Sequence, residues 1–179
     1  LRISNTVDAN YNSNQFRCVV SGACTPAVTS NAATLTVNSA VSIQSQPSNV
    51  SVCANSATSF SVSSTGTGLA YQWQVYSSGS WSNITNGGIY SGATTSTLSL
   101  STTSNSENNL KYQCVITGTC SNLTSASATL TVNNVPAAPT TILGDMTICE
   151  NTNQSYAVND ISGATSYTWT LPAGWTGTS

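Results

Sequence analysis

The chain has 179 residues with three Lys or Arg, five Asp or Glu, no His and a net charge of −2, where an ordinary domain gives about a quarter of its residues to charge. Without histidine there is no Ser-His-Asp or Cys-His pair, no imidazole metal ligand and no switch near neutral pH, and three scattered cations cannot neutralise a run of phosphates, so no nucleic-acid partner is expected. The hydrophobic content of 39% is enough for a core, but the apolar runs are too short to form a membrane-spanning helix, so no membrane insertion and no cofactor are expected.

In chain order, residues 16–38 read FRCVVSGACTPAVTSNAATLTVN. Phe16, Cys18 and Val20 fall on one face and Arg17 and Val19 on the other, a period of two that predicts strands, with Ser21-Gly22 as a turn. Residues 41–52 predict a first strand of the next unit. Pro47 breaks it, because a residue without an N–H suits an edge strand that changes sheets. Residues 59–62 (SFSV), 70–76 (AYQWQVY), 98–100 (LSL), 110–116 (LKYQCVI) and 128–132 (ATLTV) are short, β-branched or aromatic, and separated by Gly, Ser and Asn. They predict further strands, with Thr117-Gly118 as a hairpin turn and helix nowhere. Phe60, Val62, Trp73, Leu98, Leu100, Tyr112, Cys114, Leu130 and Val132 are the expected inward residues.

Residues 112–133, YQCVITGTCSNLTSASATLTVN, repeat residues 16–38. Both copies carry C-x5-C and end in ATLTVN, and the period of about 95 residues is the size of one small β-sandwich. Residues 41–134 then form a complete immunoglobulin-like module, with an inward Trp on the third strand and Tyr-x-Cys on the sixth, where Tyr112 is placed for a corner hydrogen bond. Val62 stands where an antibody domain has its second-strand Cys. Residues 1–40 read as the C-terminal part of an earlier module and residues 135–179 as the N-terminal part of a later one. Neither should bury enough apolar surface to fold alone. Two readings stand: a window on a longer tandem array, or half-modules that complement one another between molecules and assemble a filament. The chain opens at Leu1 and its one methionine is Met146, so it is expected to be a processed product or an internal stretch.

The phrases VCANSATSFSV, GLAYQWQVYSSGSWSNITNGGIYSGATTSTLSL, KYQCVITGTC and SASATLTVN resemble the Ig-like repeats of large secreted proteins of Bacteroidetes, including gliding-motility-associated and adhesin-like surface proteins. Residues 135–179 are similar to the opening of a PKD-like repeat, on Cys149, Tyr156, Tyr167, Trp169 and the run Leu171-Pro172-Ala173-Gly174-Trp175. The resemblance implies tandem all-β sandwiches in a long extracellular or cell-surface protein, exported by the type IX route and acting as stalk or adhesion module. It implies no catalytic residues. The implied partners are neighbouring modules of the same chain and surface glycans or other cell-surface proteins; accessory modules of a secreted hydrolase are the alternative.

The candidate sites are few. Six cysteines point to an oxidising compartment. Cys53 and Cys149 precede second strands, Cys18 and Cys114 lie on sixth strands, and Cys24 and Cys120 follow the hairpin turn. Three pairings within a module stay open. Cys114 bonds Cys120 across the hairpin, as Cys18 would Cys24, or Cys114 is an unpaired core residue; Cys53 is then free, or staples to the hairpin end of the following module. No paired C-x2-C knuckle suggests zinc. Asp145, Glu150 and Asp160 match no calcium loop, and Glu107 with Asp145 is a poor glycosidase pair because the two lie in different modules. Trp81, Tyr76 and Tyr90, set among Ser and Asn, have the composition of a carbohydrate platform, against which stands simple loop packing at the sandwich edge. Asn49, Asn83, Asn122 and Asn153 lie in N-x-S/T sequons. Lys111, the one lysine, is expected to point outward, away from any isopeptide partner.

Overall fold

Short β-branched and aromatic runs divided by Gly and Ser give fifteen strands, seen in a computed structural model that describes residues 9–149, 152–174 and 176–177. The first four are β1 (Gln15–Phe16), β2 (Val19–Val20), β3 (Val28–Thr29) and β4 (Ala33–Thr34). Then come β5 (Ser42–Ser45), β6 (Val50–Cys53), β7 (Thr58–Ser61), β8 (Ser63–Thr65), β9 (Ala70–Ser77) and β10 (Ser80–Asn83). The last are β11 (Tyr90–Ser91), β12 (Thr97–Leu100), β13 (Lys111–Thr117), β14 (Asn122–Thr124) and β15 (Ala128–Asn133). Single 3-10 turns occur at Ala9–Tyr11 and Asn105–Glu107, and no α-helix occurs among the described residues.

From β5 onward the strands make a sandwich. One sheet runs β10-β9-β13-β15-β6, with β14 also paired to β13; the opposing layer runs β11-β12-β7, and β8, which continues β7 past Val62, carries β5. The first strand does change sheets at Pro47: β5 pairs antiparallel with β8, whereas β6 pairs parallel with β15. Alternation places the core. Along β13, Tyr112, Cys114 and Ile116 are buried, and along β15 so are Ala128, Leu130 and Val132. Phe60, Val62, Leu98 and Leu100 come down from the other layer onto Trp73, which is fully enclosed. Its indole N–H donates to Thr95 O at 2.9 Å, so the largest side chain in the core leaves no polar atom unpaired. Phe60 stacks on Tyr112 with ring centroids 4.8 Å apart.

The N-terminal copy repeats this ladder bond by bond. Gln15 and Phe16 face Thr34 and Ala33 as Lys111 and Tyr112 face Thr129 and Ala128. Val19 and Val20 face Thr29 and Val28 as Val115 and Ile116 face Thr124 and Leu123. Cys18 N donates to Ser30 Oγ at 2.9 Å, and Cys114 N to Ser125 Oγ at the same distance. Val37 N donates to Asn12 Oδ1 at 3.0 Å, and Val132 N to Asn108 Oδ1 at 2.9 Å. Even the left-handed residue before the strand recurs, at Ser13 and Asn109. Among the described residues no second layer faces the copy, and Val19, Val20 and Val28 stay more than half exposed.

The described part of residues 135–179 holds one isolated bridge, Leu143 to Ala157, with Tyr156 Oη donating to Asp145 O at 3.1 Å. Tyr156, Tyr167, Trp169 and Leu171 are exposed. Glu150 and Trp175 lie outside the described residues.

Three expectations need correction. The polar stretch after residue 76 is not a loop: β9 returns through Ser78-Gly79, both at positive φ, to form β10. That is the two-residue hairpin turn whose twist matches the strands. The second hairpin turns later than Thr117-Gly118, at Gly118–Ser121, closed by Gly118 N donating to Ser121 O at 3.0 Å. Tyr112 makes no corner bond to the backbone, because its hydroxyl reaches Tyr90 Oη at 3.2 Å.

Candidate functional site

The β10-β9-β13 sheet turns a polar face outward, and the register assembles it. Trp81 stands opposite Tyr76, Asn83 opposite Gln74, and Gln74 opposite Gln113. The amides form a relay across three strands: Gln113 Nε2 donates to Gln74 Oε1 at 2.8 Å, and Gln74 Nε2 to Asn83 Oδ1 at 2.8 Å. At its edge the rings of Tyr76 and Trp81 meet at 5.2 Å, tilted by 56°. Lys111 lies opposite Tyr76 and is exposed, far from any buried isopeptide role. An aromatic pair beside oriented amides sets an apolar edge next to hydrogen-bonding groups.

Tyr90 does not join this face. It lies on β11 in the other layer, its ring 6.3 Å from that of Tyr112. Burial pushes the Tyr90 phenol above its usual range, and burial raises Tyr112 as well, so both stay protonated donors at neutral pH. Of the three aromatic residues, Trp81 and Tyr76 share this face, and Tyr90 packs in the other layer. The register that separates them depends on the Ser78-Gly79 turn, a Ser-Gly dipeptide between aromatic residues.

All six cysteines are free thiols. Cys114 is buried beside Trp73, its register partner on β9. Burial pushes its thiol up to about 11. The hairpin pairing with Cys120 does not form. The residue opposite Cys114 is Ser125, whose N–H donates to Cys114 O at 2.9 Å, while Cys120 sits in the turn at the sheet end. That is several residues away at about 3.3 Å each, beyond the roughly 7 Å Cα separation a disulfide tolerates. Cys18 and Cys24 follow the same geometry and are both exposed. Cys53 is exposed at the end of β6 in register with Asn133, and Cys149 is exposed in the C-terminal segment.

Among the described residues no cluster of metal-ligating side chains occurs. Glu107 is committed to a capping box: its Oε2 accepts from Ser104 N at 2.7 Å and from Ser104 Oγ at 2.8 Å. Two of the sequon asparagines also have structural partners. Asn49 Oδ1 accepts from Thr129 N at 2.8 Å, and Asn83 belongs to the amide relay.

Residues 135–179 match the family model of a PKD-like domain. No curated protein matches the chain. Among solved structures, a fragment of three titin Ig domains, I67 to I69, in an E-to-A variant, aligns at 15% identity with a TM-score of 0.52. The alignment covers 67% of this chain and 41% of the titin fragment. Sidekick-1 immunoglobulin domains 1–5 align at 17% identity and TM-score 0.49, over 69% of this chain and 26% of that one. The complex of titin M10 with an F17R mutant Ig of obscurin-like 1 aligns at 18% identity and TM-score 0.47, over 56% of this chain and 100% of the other. Domains of these folds are typically non-catalytic, although fold alone does not assign function. The chain carries an all-β immunoglobulin-like sandwich followed by a segment similar to a PKD-like domain.

Proposed function

We propose that this chain is part of a tandem array in a long extracellular or cell-surface bacterial protein, serving as stalk or adhesion module and not as an enzyme. Residues 1–40 are then the end of one Ig-like module, 41–134 a whole one and 135–179 the start of a PKD-like one. The observation that carries the reading is the bond-for-bond duplication of the last hairpin ladder in residues 9–38. Such duplication is how a protein lengthens while keeping each unit's core self-sufficient. The strand arrangement suits tension. In the sandwich the chain comes in beside the β13–β14 turn and leaves at Asn133, and β6, the part of the first strand after Pro47, is the parallel neighbour of the last strand, β15. A pull along the array therefore shears four register pairs together, Val50 with Leu130 through Cys53 with Asn133, and does not unzip them in turn.

Electron microscopy of the intact protein tests this. A beaded thread of modules is the expected result; a compact particle with one large additional domain overturns it and makes these modules accessories of a secreted enzyme. The Tyr76–Trp81 pair favours a second role on the same scaffold, glycan binding by the outer face of β10-β9-β13. Trp81→Ala should then abolish retention on a glycan array with the melting curve unchanged, and a wild-type chain that retains no glycan overturns it.

A further inference from the structure

Two exposed thiols mark opposite ends of the sandwich. Cys53 ends β6 beside Asn133, where the chain leaves, and Cys120 lies in the β13–β14 turn, where it comes in. Within one module they cannot meet, since the length of β9 and β13 lies between them, roughly 20 Å at about 3.3 Å per residue.

The N-terminal copy shows what stands next to Cys120 in a tandem. Its Sγ lies 3.5 Å from the backbone oxygen of Asn38. Asn38 closes the first ATLTVN as Asn133 closes the second, and both runs begin in the same register against the preceding strand. The junction is held rather than loose. Ser39 N donates to Thr67 Oγ1 at 2.9 Å, Thr67 N to Ser39 O at 3.2 Å, and Val41 N to Ser121 Oγ at 2.9 Å. The turn carrying Cys120 is tied to the same strap, because Thr119 N donates to Thr67 O at 2.9 Å. In a complete leading module, the residue in register with Asn38 is that module's own Cys53, on a parallel strand about 4.8 Å away. In the complete module the equivalent oxygen, Asn133 O, accepts from Ala54 N, the residue after Cys53, at 2.8 Å, so the oxygen that Cys120 Sγ meets at Asn38 is one that the leading module's Cys53–Ala54 peptide would also reach.

We propose that where two copies of the 41–134 repeat stand head to tail, Cys53 of the leading copy and Cys120 of the trailing copy form a disulfide that staples the junction. The chemistry is thiol–disulfide exchange with a small-molecule or protein disulfide. One cysteine attacks the oxidant's disulfide as its thiolate, forming a mixed disulfide and releasing one thiol. The second cysteine's thiolate then attacks the protein sulfur of that mixed disulfide and releases the other, so the two cysteines give up two protons and two electrons and the oxidant leaves as two thiols. The staple rests on the tandem-array reading, and the duplicated chain below tests the junction itself, whether or not the array serves as a stalk.

The test duplicates residues 39–133 in place within the full chain, so that the new joint Asn133–Ser39 repeats the native Asn38–Ser39. Cys→Ser changes at Cys18, Cys24 and Cys149, at Cys120 of the leading copy and at Cys53 of the trailing copy leave the proposed pair as the exposed thiols. A swapped version leaves the other two. After equilibration with oxidised glutathione, alkylation and non-reducing peptide mapping, the first version should lose both alkylatable thiols to one intramolecular linkage, and the swapped version should keep both. All four sites are exposed, and near-ultraviolet circular dichroism of Trp73 confirms the fold in each. Two free thiols in the folded first version, or equal linkage in the swapped one, overturns the proposal.

Discussion

At the scale of the residue, Cys114 and Val62 occupy the two positions that an antibody domain joins by a disulfide, and here both are simply buried. Alternation along residues 110–116 made Cys114 legible as an inward residue. Its bonding state was not legible, because that turns on where the hairpin reverses, and Gly118, Ser121 and the residues between them offered several places. Five exposed cysteines and one buried one should separate cleanly in a thiol titration. The five react with an aromatic disulfide reagent in the native state, and Cys114 only on unfolding. Its raised thiol also sets a pH dependence. Below the ordinary value of 9.0 the thiol is protonated in both states and contributes no pH dependence. Between there and about 11 the unfolded chain loses the proton and the folded one keeps it, so stability falls as pH rises through that window. The buried Tyr112 phenol acts in the same direction at higher pH. Denaturant midpoints should therefore decline above pH 9, and Cys114→Ala should flatten the first part of the decline.

At the scale of the element, the last hairpin is the best-specified part of the chain, and its internal repetition shows which contacts specify it. Ser125 accepts from Cys114 N through its hydroxyl, donates that hydroxyl to Ala126 O at 2.9 Å, and is itself buried. Ser30 does the same, accepting from Cys18 N and donating to Asn31 O. Without the hydroxyl the Cys114 amide would lie unpaired beside the core. Ser125→Ala should then lower stability by about 1–3 kcal/mol, the cost of an orphaned buried donor, read as a denaturant midpoint shift at constant slope. Ser30→Ala, in the exposed copy, should leave that transition unmoved. The turn itself depends on Gly118, where an added Cβ would lie 2.6 Å from Val41 Cγ2 and 3.2 Å from Thr67 O. Gly118→Ala should displace the strap at Val41 and destabilise by about 1–3 kcal/mol through overpacking. The second arm of the β9–β10 hairpin was the element the sequence hid. In residues 77–83 (SSGSWSN) Ser and Asn outnumber apolar residues, so period two is faint, and only Ser78-Gly79 marks the reversal.

At the scale of the whole molecule, the sheet order was largely legible because a buried Trp, a Tyr-x-Cys strand and a Pro-broken first strand each admit few positions in a sandwich. The sorting of Tyr76, Trp81 and Tyr90 between two layers was not, since composition places aromatic residues near one another without saying which sheet face each takes. The core also has definite limits. Every fully buried apolar side chain among the described residues falls between Val41 and Val132, and none lies in the flanking segments. The Val19, Val20 and Val28 side chains of the N-terminal copy are 59%, 64% and 71% exposed, so they have little hydrophobic stabilisation to lose on unfolding. A chain cut to residues 39–134 keeps the strap, both layers and every core contact. It should unfold as one cooperative transition, with a melting midpoint within a few degrees of that of the full chain. Residues 1–40 alone should show no such transition, because a hairpin without a facing layer is marginal in water. Circular dichroism melts of the three chains check this. A large loss of midpoint on trimming would mean that the flanking segments pack on the sandwich and would refute its independence.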